Sequence, residues 1–361
     1  MRVVSGLNKL ALSFLIYLVV PLFSPSIAQA QNGIEDTVRV RTRVVSIDTL
    51  VSDKKTGASV ADLTRENFEV LADGKPRTLS YFRREGEDRR RPLALVLVVD
   101  LVGGGPKNYL ASPEILESLT AALRKLSPED EVTVMAHVGG TGAPLKTLTD
   151  FTRDWKKVSE ALAAVSKLPV PEPGWYADEL DSILQRLDGA AAERPDSQIV
   201  VVPLTSGLGP VSFAKRDEYA ARLIRANASF SPLIFGSGNP QIHMQHVPGR
   251  YPAPRPILGT IGRLTGWDIF APGHIAEQTG GEATSIRQPA DGGAALEKLI
   301  ANLAARYNLG FTLNQNEQDD GRMHKLEVRV KARDSRGKER KLIVRAHRGY
   351  YIPKENEMPK K

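Results

Sequence analysis

The stretch Pro92–Gly105, which reads PLALVLVVDLVGGG, gives the clearest indication of the fold in this 361-residue chain. Seven apolar residues in a row, several of them β-branched, lead into Asp100 and then into a glycine turn. This pattern is typical of a strand that is buried on both faces and ends in a loop. Apolar residues at helical spacing follow in Pro113–Leu126, so the sequence predicts a central strand, a loop and a helix in that order. In this arrangement a ligand site lies at the carboxyl edge of the sheet.

Strands and helices alternate between Pro92 and Arg306. Apolar runs predict further strands at Glu131–His137, Gln198–Leu204, Ser231–Phe235 and Glu282–Ile286. Helical spacing predicts helices at Asp154–Leu168, Ala177–Ala192, Phe213–Ala226, Ile257–Leu264, Ile275–Thr279 and Gly293–Arg306. The alternation indicates the α/β class, with a doubly wound, mostly parallel sheet that is covered by helices on both faces.

At the two ends of the chain, the sequence pattern predicts β-strands without long helices. Alternating apolar and polar residues predict a hairpin over residues 37–57 and strands at Phe68–Leu71 and Thr78–Phe82. The same alternation predicts C-terminal strands at Tyr307–Leu313, His324–Lys331 and Lys341–Tyr351. Since two or three strands hardly form a stable sheet alone, we expect the N- and C-terminal arms to pair into a second, smaller all-β domain.

The predicted domain organisation has five parts. They are a signal peptide at 1–30, an N-terminal β arm with a basic linker at 31–91, the α/β domain at 92–306, a C-terminal β arm at 307–353 and a disordered tail at 354–361. The linker Arg83–Arg91 (RREGEDRRR) contains no apolar residue. We interpret it as an exposed connector in preference to a nucleic-acid patch.

Residues 1–30 have the features of a secretory signal peptide. Arg2 and Lys9 flank the apolar run at 10–23, and the Ala-Gln-Ala sequence at 28–30 fits a small-x-small cleavage site. The alternatives are an uncleaved anchor or a buried helix, but the run is short for a membrane span and is interrupted by proline. We therefore expect a secreted or periplasmic protein with no transmembrane segment after cleavage.

The amino-acid composition excludes several kinds of site in this chain. It contains no cysteine, which excludes disulfides, a thiol nucleophile and thiolate metal ligands. The formal net charge is +7, and it would be +5 after loss of Arg2 and Lys9 with the leader. This net positive charge is smaller than is typical of nucleic-acid-binding proteins, unless the basic residues are clustered. We therefore expect no nucleic-acid partner.

Five segments together carry a family resemblance. They are Val60–Tyr81 (VADLTRENFEVLADGKPRTLSY), Leu95–Asp100, Ile275–Ile286, Tyr307–Phe311 (YNLGF) and Gly349–Pro353 (GYYIP). In these segments the chain resembles the VWFA-related proteins of the Acidobacterial type, within the von Willebrand factor A family. The resemblance implies a binding module that is seldom an enzyme. It also implies an Mg²⁺ or Mn²⁺ site at the carboxyl edge of the sheet, completed by a carboxylate of the partner.

The metal-binding pattern of that family is degenerate in this chain. Its Asp-x-Ser-x-Ser motif falls on Asp100–Gly104, where Val102 and Gly104 replace the two serines. The second aspartate of the family falls on Ser206. Because Mg²⁺ requires near-octahedral oxygen ligation, we predict a metal-independent module without a cofactor, in which Asp100 accepts hydrogen bonds from its own glycine turn, Thr205 or Ser206. Asp178 is a further candidate oxygen ligand, and weak metal binding through it remains an alternative.

Two aromatic residues are the candidate anchors for a partner. Trp175 and Tyr176 lie in a proline-rich loop where the family threonine is expected, at the edge that binds ligands in this architecture. Packing of both rings over the degenerate metal site is the alternative. The predicted binding edge therefore comprises Asp100, Val102, Gly103, Gly104, Trp175, Tyr176, Thr205 and Ser206, and the expected partner is a protein or a component of the cell envelope.

Other motifs are weaker. The three glycines at 103–105 follow a strand, but they lack the spacing of a dinucleotide or phosphate loop. His243 and His246 have the i, i+3 spacing of a zinc pair without a third ligand nearby. No motif names a catalytic base, so we do not predict an enzyme. Three alternatives remain open, namely metal-dependent adhesion, a hydrolase that uses Asp100 with a histidine of the loop 236–256, and a purely structural role.

Overall fold

The protein combines one α/β sheet with two antiparallel sheets. The computed structural model describes residues 43–84, 90–101, 110, 112–139, 145–168, 179–205, 211–235, 267–268, 271–314, 317 and 320–352. All of them belong to one compact unit that extends from Thr42 to Lys361. None of the helices formed by these residues is long and apolar enough to cross a membrane.

The elements are numbered in chain order. The strands are β1 (Val44–Asp53), β2 (Phe68–Ala72), β3 (Lys75–Arg77), β4 (Tyr81–Arg83), β5 (Leu93–Asp100), β6 (Glu131–His137), β7 (Leu145–Thr152), β8 (Gln198–Thr205), β9 (Val211–Ser212), β10 (Ala228–Phe230), β11 (Leu233–Phe235), β12 (Trp267–Asp268), β13 (Thr284–Ile286), β14 (Tyr307–Thr312), β15 (Met323–Val330), β16 (Leu342–Arg345) and β17 (Gly349–Tyr351). The helices are α1 (Pro113–Leu123), α2 (Trp155–Val165), α3 (Glu179–Glu193), α4 (Phe213–Arg225), α5 (Ala271–Gln278) and α6 (Gly292–Ala304). Short 3-10 helices lie at Arg65–Asn67 and Pro289–Asp291.

The central sheet has seven strands, in the order β13-β11-β8-β5-β6-β7, with β10 also paired to β8. All of its pairs are parallel except β6 with β7. Strand β5 lies between β6 and β8, and each of its eight residues is buried. The predicted central strand and the α/β fold class are therefore confirmed. The antiparallel edge strand β7 was not predicted, because its residues are half-exposed and its apolar residues are sparse.

Helices cover both faces of this sheet because successive side chains of β5 point in opposite directions. Leu93, Leu95, Leu97 and Val99 of β5 belong to the same apolar cluster as residues of α1, α2 and α6. Ala94, Val96 and Val98 belong to a second cluster with residues of α3, α4 and α5. The continuous apolar run in the sequence is thus explained by a strand with a core on each side.

The N-terminal and C-terminal arms pair with each other in two antiparallel sheets, in the orders β16-β1-β14-β4 and β17-β15-β2-β3. In the first sheet the C-terminal strand β14 lies between β1 and β4. Tyr307 of β14 is buried, and its hydroxyl donates to the carbonyl of Val60 (2.8 Å) and accepts from the amide of Leu63 (3.1 Å). This smaller all-β region is therefore built from both arms, as its strand texture predicts.

Several predicted strand boundaries are wrong for one physical reason. Only the last two residues of the predicted strand Thr78–Phe82 lie in a strand, which is β4, and β4 belongs to a different sheet from the preceding β3. Likewise Lys341–Tyr351 forms β16 and β17 in different sheets. The hairpin predicted over 37–57 is, from residue 44 onward, the single strand β1, which pairs with β14 and β16. Each correction reflects pairing with strands that are distant in sequence.

The central sheet and the antiparallel sheets meet just after α5. Gly280 follows the helix with a φ of +64°, a backbone conformation that favours glycine. A Cβ at this position would lie 2.7 Å from the carbonyl carbon of Ala346. The amide of Arg348 also donates to the carbonyl of Gln278 (2.9 Å). Backbone therefore packs directly on backbone at this junction.

Candidate functional site

The connections of the central sheet change direction between β5 and β8. The chain continues from β5 to β6 on one side, and it later returns to place β8 on the other side of β5. In open α/β sheets, ligands bind outside the carboxyl ends of the strands at such a switch point. Asp100 is the last residue of β5 and Thr205 is the last residue of β8. The topology thus places two of the predicted site residues at the expected edge.

Asp100 is the centre of a buried hydrogen-bonded network. Its side chain is almost fully buried, with only 3% of the residue exposed. The Thr205 hydroxyl donates to Asp100 Oδ2 over 2.7 Å. His137 Nδ1 lies 3.2 Å from Asp100 Oδ1, and both Thr205 and His137 are buried. The network therefore connects the last residues of three neighbouring strands, β5, β6 and β8.

Strand register brings these residues together. Asp100 is the register partner of His137 in the parallel pair of β5 and β6. On the other side Val99 pairs with Leu204, which puts Thr205 next to Asp100. The amide of Leu101 donates to the carbonyl of His137 (3.0 Å), so pairing continues one residue beyond β5. The starting points of the loops after β5 and β6 are fixed by these contacts.

The order of the groups determines what the network does chemically. A carboxylate accepts hydrogen bonds and does not donate them, so the contact assigns the imidazole proton of His137 to Nδ1. In a hydrolytic triad the histidine lies between the hydroxyl and the carboxylate and activates the hydroxyl. Here the carboxylate lies between Thr205 and His137. The arrangement therefore orders three strand ends and does not activate the Thr205 hydroxyl as a nucleophile.

A hard divalent cation fits this donor set poorly. Mg²⁺ prefers several oxygen ligands in octahedral geometry, commonly with one or two carboxylates. Among the residues that the structure describes here, Asp100 supplies the one carboxylate of the network, and its two oxygens already contact Thr205 and His137. Across the part of the chain that the structure describes, no group of three or more acidic or histidine side chains is arranged to hold a metal ion.

The remaining predicted site residues lie outside the described residues. These are Val102, Gly103, Gly104, Trp175, Tyr176 and Ser206, together with Asp178, His243 and His246. The structure therefore brings Asp100 and Thr205 together, and the part of the other residues in binding stays a prediction.

His137 is the residue of this network that the sequence analysis missed. It lies in no recognisable motif, and 37 residues separate it from Asp100. Its position was nevertheless informative, because it ends an apolar strand predicted to lie in the same sheet as β5. The carboxyl ends of parallel strands share one edge, so terminal polar residues of such strands are candidates for contact.

Comparisons with known proteins give the following findings. No model of a protein family matches the chain, and no curated protein matches it. Among solved structures it is similar to the manganese-loaded TRAP protein of Plasmodium vivax, with 14% identity, a TM-score of 0.38 and coverage of 78% of this chain and 97% of that one. It is also similar to a von Willebrand factor type A protein from Catenulispora acidiphila, with 10% identity, a TM-score of 0.42 and coverage of 88% and 76%.

A third similar structure is an aerotolerance-related membrane protein from Bacteroides fragilis. Its identity is 10%, its TM-score is 0.36, and the match covers 58% of this chain and 98% of that one. At these identities and TM-scores the likenesses say nothing about what this chain binds.

Proposed function

We propose that the chain is an exported, non-catalytic module that binds a protein or envelope partner with the loops at the carboxyl edge of its central sheet. The observation that carries this proposal is the buried network of Asp100, Thr205 and His137. It fixes three adjacent strand ends at the switch point, where the architecture commonly binds ligands. A rigid base for variable loops is what a binding surface requires.

The burial of the network supports binding in preference to catalysis. A general base must reach the proton that it abstracts, directly or through one water molecule. Asp100 and His137 are 3% and 1% exposed, and their contact with each other turns them inward. Surface contacts would then fall to the loops at this edge, and Trp175 and Tyr176, in the stretch between α2 and α3, are the proposed anchors. Large aromatic residues are enriched among the residues that dominate binding energy.

The test is capture of a partner from the native envelope by the purified chain. Replacing both Trp175 and Tyr176 with alanine should weaken capture by about 2 kcal/mol or more while the melting temperature stays nearly unchanged. A matched control replaces Val44 and Met323, which are 51% and 37% exposed, with alanine. A large fall in melting temperature with unaltered capture would contradict the proposal, since the two rings would then be packing residues.

Metal independence is part of the proposal. Capture should survive a chelator, and Mg²⁺ or Mn²⁺ should not raise the melting temperature, because a ligand that does not bind the native state cannot stabilise it. Calorimetric titration measures this directly. Saturable one-to-one binding that disappears in Asp100→Asn would instead favour metal-dependent adhesion.

Export is the remaining part of the proposal. It rests on the basic start, the apolar run and the Ala-Gln-Ala sequence within residues 1–30. N-terminal sequencing of the protein from its native cell should begin near Gln31. A cytoplasmic protein that still begins at Met1 would show that these residues are not a cleaved leader.

A further inference from the structure

A cleft rich in arginine lies at the opposite end of the central strands from the Asp100 network. It opens where β5 and β8 begin and where the antiparallel sheet of β1, β4 and β14 adjoins them. The cleft is open to solvent and has a cavity volume of about 40 Å³. Its charged lining residues are Arg83, Arg84, Arg90, Arg91, Arg306 and Asp48. Among the described residues, five guanidinium groups and one carboxylate therefore line the cleft.

Three of the arginines are held in place by the protein. Arg90 forms a two-pronged ion pair with the fully buried Asp130, with Nη1 2.8 Å from Oδ1. Arg91 donates to the carbonyls of Ser197 (2.9 Å) and Asp196 (3.3 Å). Arg306 is 7% exposed and donates to the carbonyl of Gly280 (2.8 Å). These contacts fix the guanidinium groups before any ligand arrives, which lowers the entropic cost of binding.

Asp48 and Asp130, the described carboxylates near the cleft, are already engaged. Asp48 accepts hydrogen bonds from Asn308 and, over 3.4 Å, from Arg91. Asp130 is committed to Arg90 and to the amides of Leu93 and Ser127, each 2.8 Å away. The cationic side chains therefore exceed the acidic ones among the residues that line the cleft.

Arg84 provides an independent indication of a ligand. Its Nε is buried and has no hydrogen-bond partner among the described residues. Asp62 is near enough to interact electrostatically with Arg84, but the carboxylate of Asp62 is bonded to Arg340 at 2.8 and 2.9 Å. Burial of a donor without an acceptor is unfavourable, and buried polar groups in proteins are nearly always bonded. An acceptor that reaches Arg84 from the cleft would remove this cost.

We propose that this arginine cleft binds a tetrahedral oxyanion of the phosphate type, either free or as the headgroup of a lipid. Planar guanidinium groups match the oxygen atoms of such anions in pairs, and hydrogen bonds between charged partners are the stronger ones. The site goes beyond the proposed function, because it lies at the amino ends of β5 and β8 and does not involve the carboxyl-edge loops.

The test is calorimetric titration of the purified full chain with sodium phosphate at constant ionic strength. We expect saturable one-to-one binding that is at least tenfold weaker in Arg84→Gln. Arg336→Gln, which removes the same charge from an exposed turn, is the matched control and should bind like the wild type. Absence of saturable binding, or equal affinity in Arg84→Gln and Arg336→Gln, would overturn the proposal.

Two further variants keep the test decisive. Arg84→Lys retains the charge without the planar fork, so it should fold and should bind phosphate more weakly than the wild type. Glu85, Glu87 and Asp88, which lie outside the described residues, connect Arg84 to Arg90 in sequence. Their replacement by Gln, Gln and Asn should leave affinity equal or higher. Binding that appears in this triple variant but not in the wild type would overturn the proposal, because the chain's own carboxylates would then be the occupant.

Vesicles separate the two sources of the anion. Flotation with phosphatidic acid vesicles, compared with phosphatidylcholine vesicles, measures binding to a lipid headgroup. Retention by phosphatidic acid that is lost in Arg84→Gln supports a lipid ligand. Calorimetric binding without vesicle retention supports a free phosphate or a soluble phosphate monoester.

Discussion

Two buried aspartates at opposite ends of β5 have different partners. Asp130, beside the first residue of the strand, is fully buried and pairs with the cationic Arg90 while accepting from the amide of Leu93. Asp100, the last residue, contacts the hydroxyl of Thr205 and the imidazole of His137. One strand thus supports two kinds of polar site. Its amino end is organised by strong positive charge, and its carboxyl end by hydrogen bonds between side chains of the strand ends.

The largest expected effect is at Asp130. Asp130→Asn should lower the free energy of unfolding by about 4 kcal/mol, because removing one partner of a buried ion pair leaves the other uncompensated. The NH2 group of the new amide would also face the backbone amide of either Leu93 or Ser127, which would lose its acceptor. Denaturant unfolding measures the loss. A change as small as that in Asp150→Asn, whose side chain is 81% exposed, would contradict the structural role of Asp130.

Asp100→Asn should cost less, about 2 kcal/mol, because no full ion pair is lost and one oxygen remains as an acceptor. Either Thr205 or His137 would then face an amide donor. The same unfolding experiment measures this, again with Asp150→Asn as the control. A loss equal to that of Asp130→Asn would remove the energetic difference between the two ends of β5.

His347 interacts electrostatically with Arg306 and Arg91, two arginines of the cleft. Burial, opposed in part by Asp48 and reinforced by Arg306 and Arg91, lowers the pKa of His347 to about 4. The unfolded chain, with a histidine pKa near 6.5, binds more protons between these values, so stability falls as pH falls from about 6.5 towards 4. At pH 5 this should amount to about 2 kcal/mol. The difference between wild type and His347→Gln across pH 5 to 8 measures it, and identical pH profiles would contradict it.

The smallest effect concerns His324, which lies away from β5. Its pKa is shifted in the opposite direction from that of His347. Burial alone would lower the pKa of His324, but hydrogen bonds to Asp73 (2.8 Å) and Asp320 (3.3 Å) outweigh it and raise the pKa. Its contribution is therefore complete below about pH 6.5 and disappears as pH rises through the raised pKa. His324→Gln should cost about 0.5 kcal/mol at pH 5.5 and less at pH 9. A greater cost at pH 9 would show that the sign is wrong.

Sequence reasoning predicted the central strand because local information was sufficient there. The apolar run of β5 identifies a strand with two buried faces, and Asp154 before α2 was predicted to begin that helix. In the structure the Asp154 carboxylate accepts from the amide of Lys156 (2.9 Å) as the cap. The carboxyl edge was predicted for the same reason, since it follows from strand direction alone.

The missed features all depend on contacts between distant parts of the chain. Residues 83–91 were predicted to be an exposed connector, which is wrong for Arg90 and Arg91, whose partners include Asp130 and Asp48. Nothing within the linker itself indicates a partner 40 residues away. The contact of His137 with Asp100 and the separation of β3 from β4 were missed in the same way. In each case strand register, which the local sequence does not specify, decides which side chains meet.

The backbone contact between Gly280 and Ala346 offers one route by which the protein would carry mechanical load. With no side chain between the two segments, neither can slide without breaking the hydrogen bond from Arg348 to Gln278. A pull on a partner held at the carboxyl-edge loops would reach the antiparallel sheets through the polypeptide backbone. Any larger residue at position 280 would push the two backbone segments apart and weaken this contact.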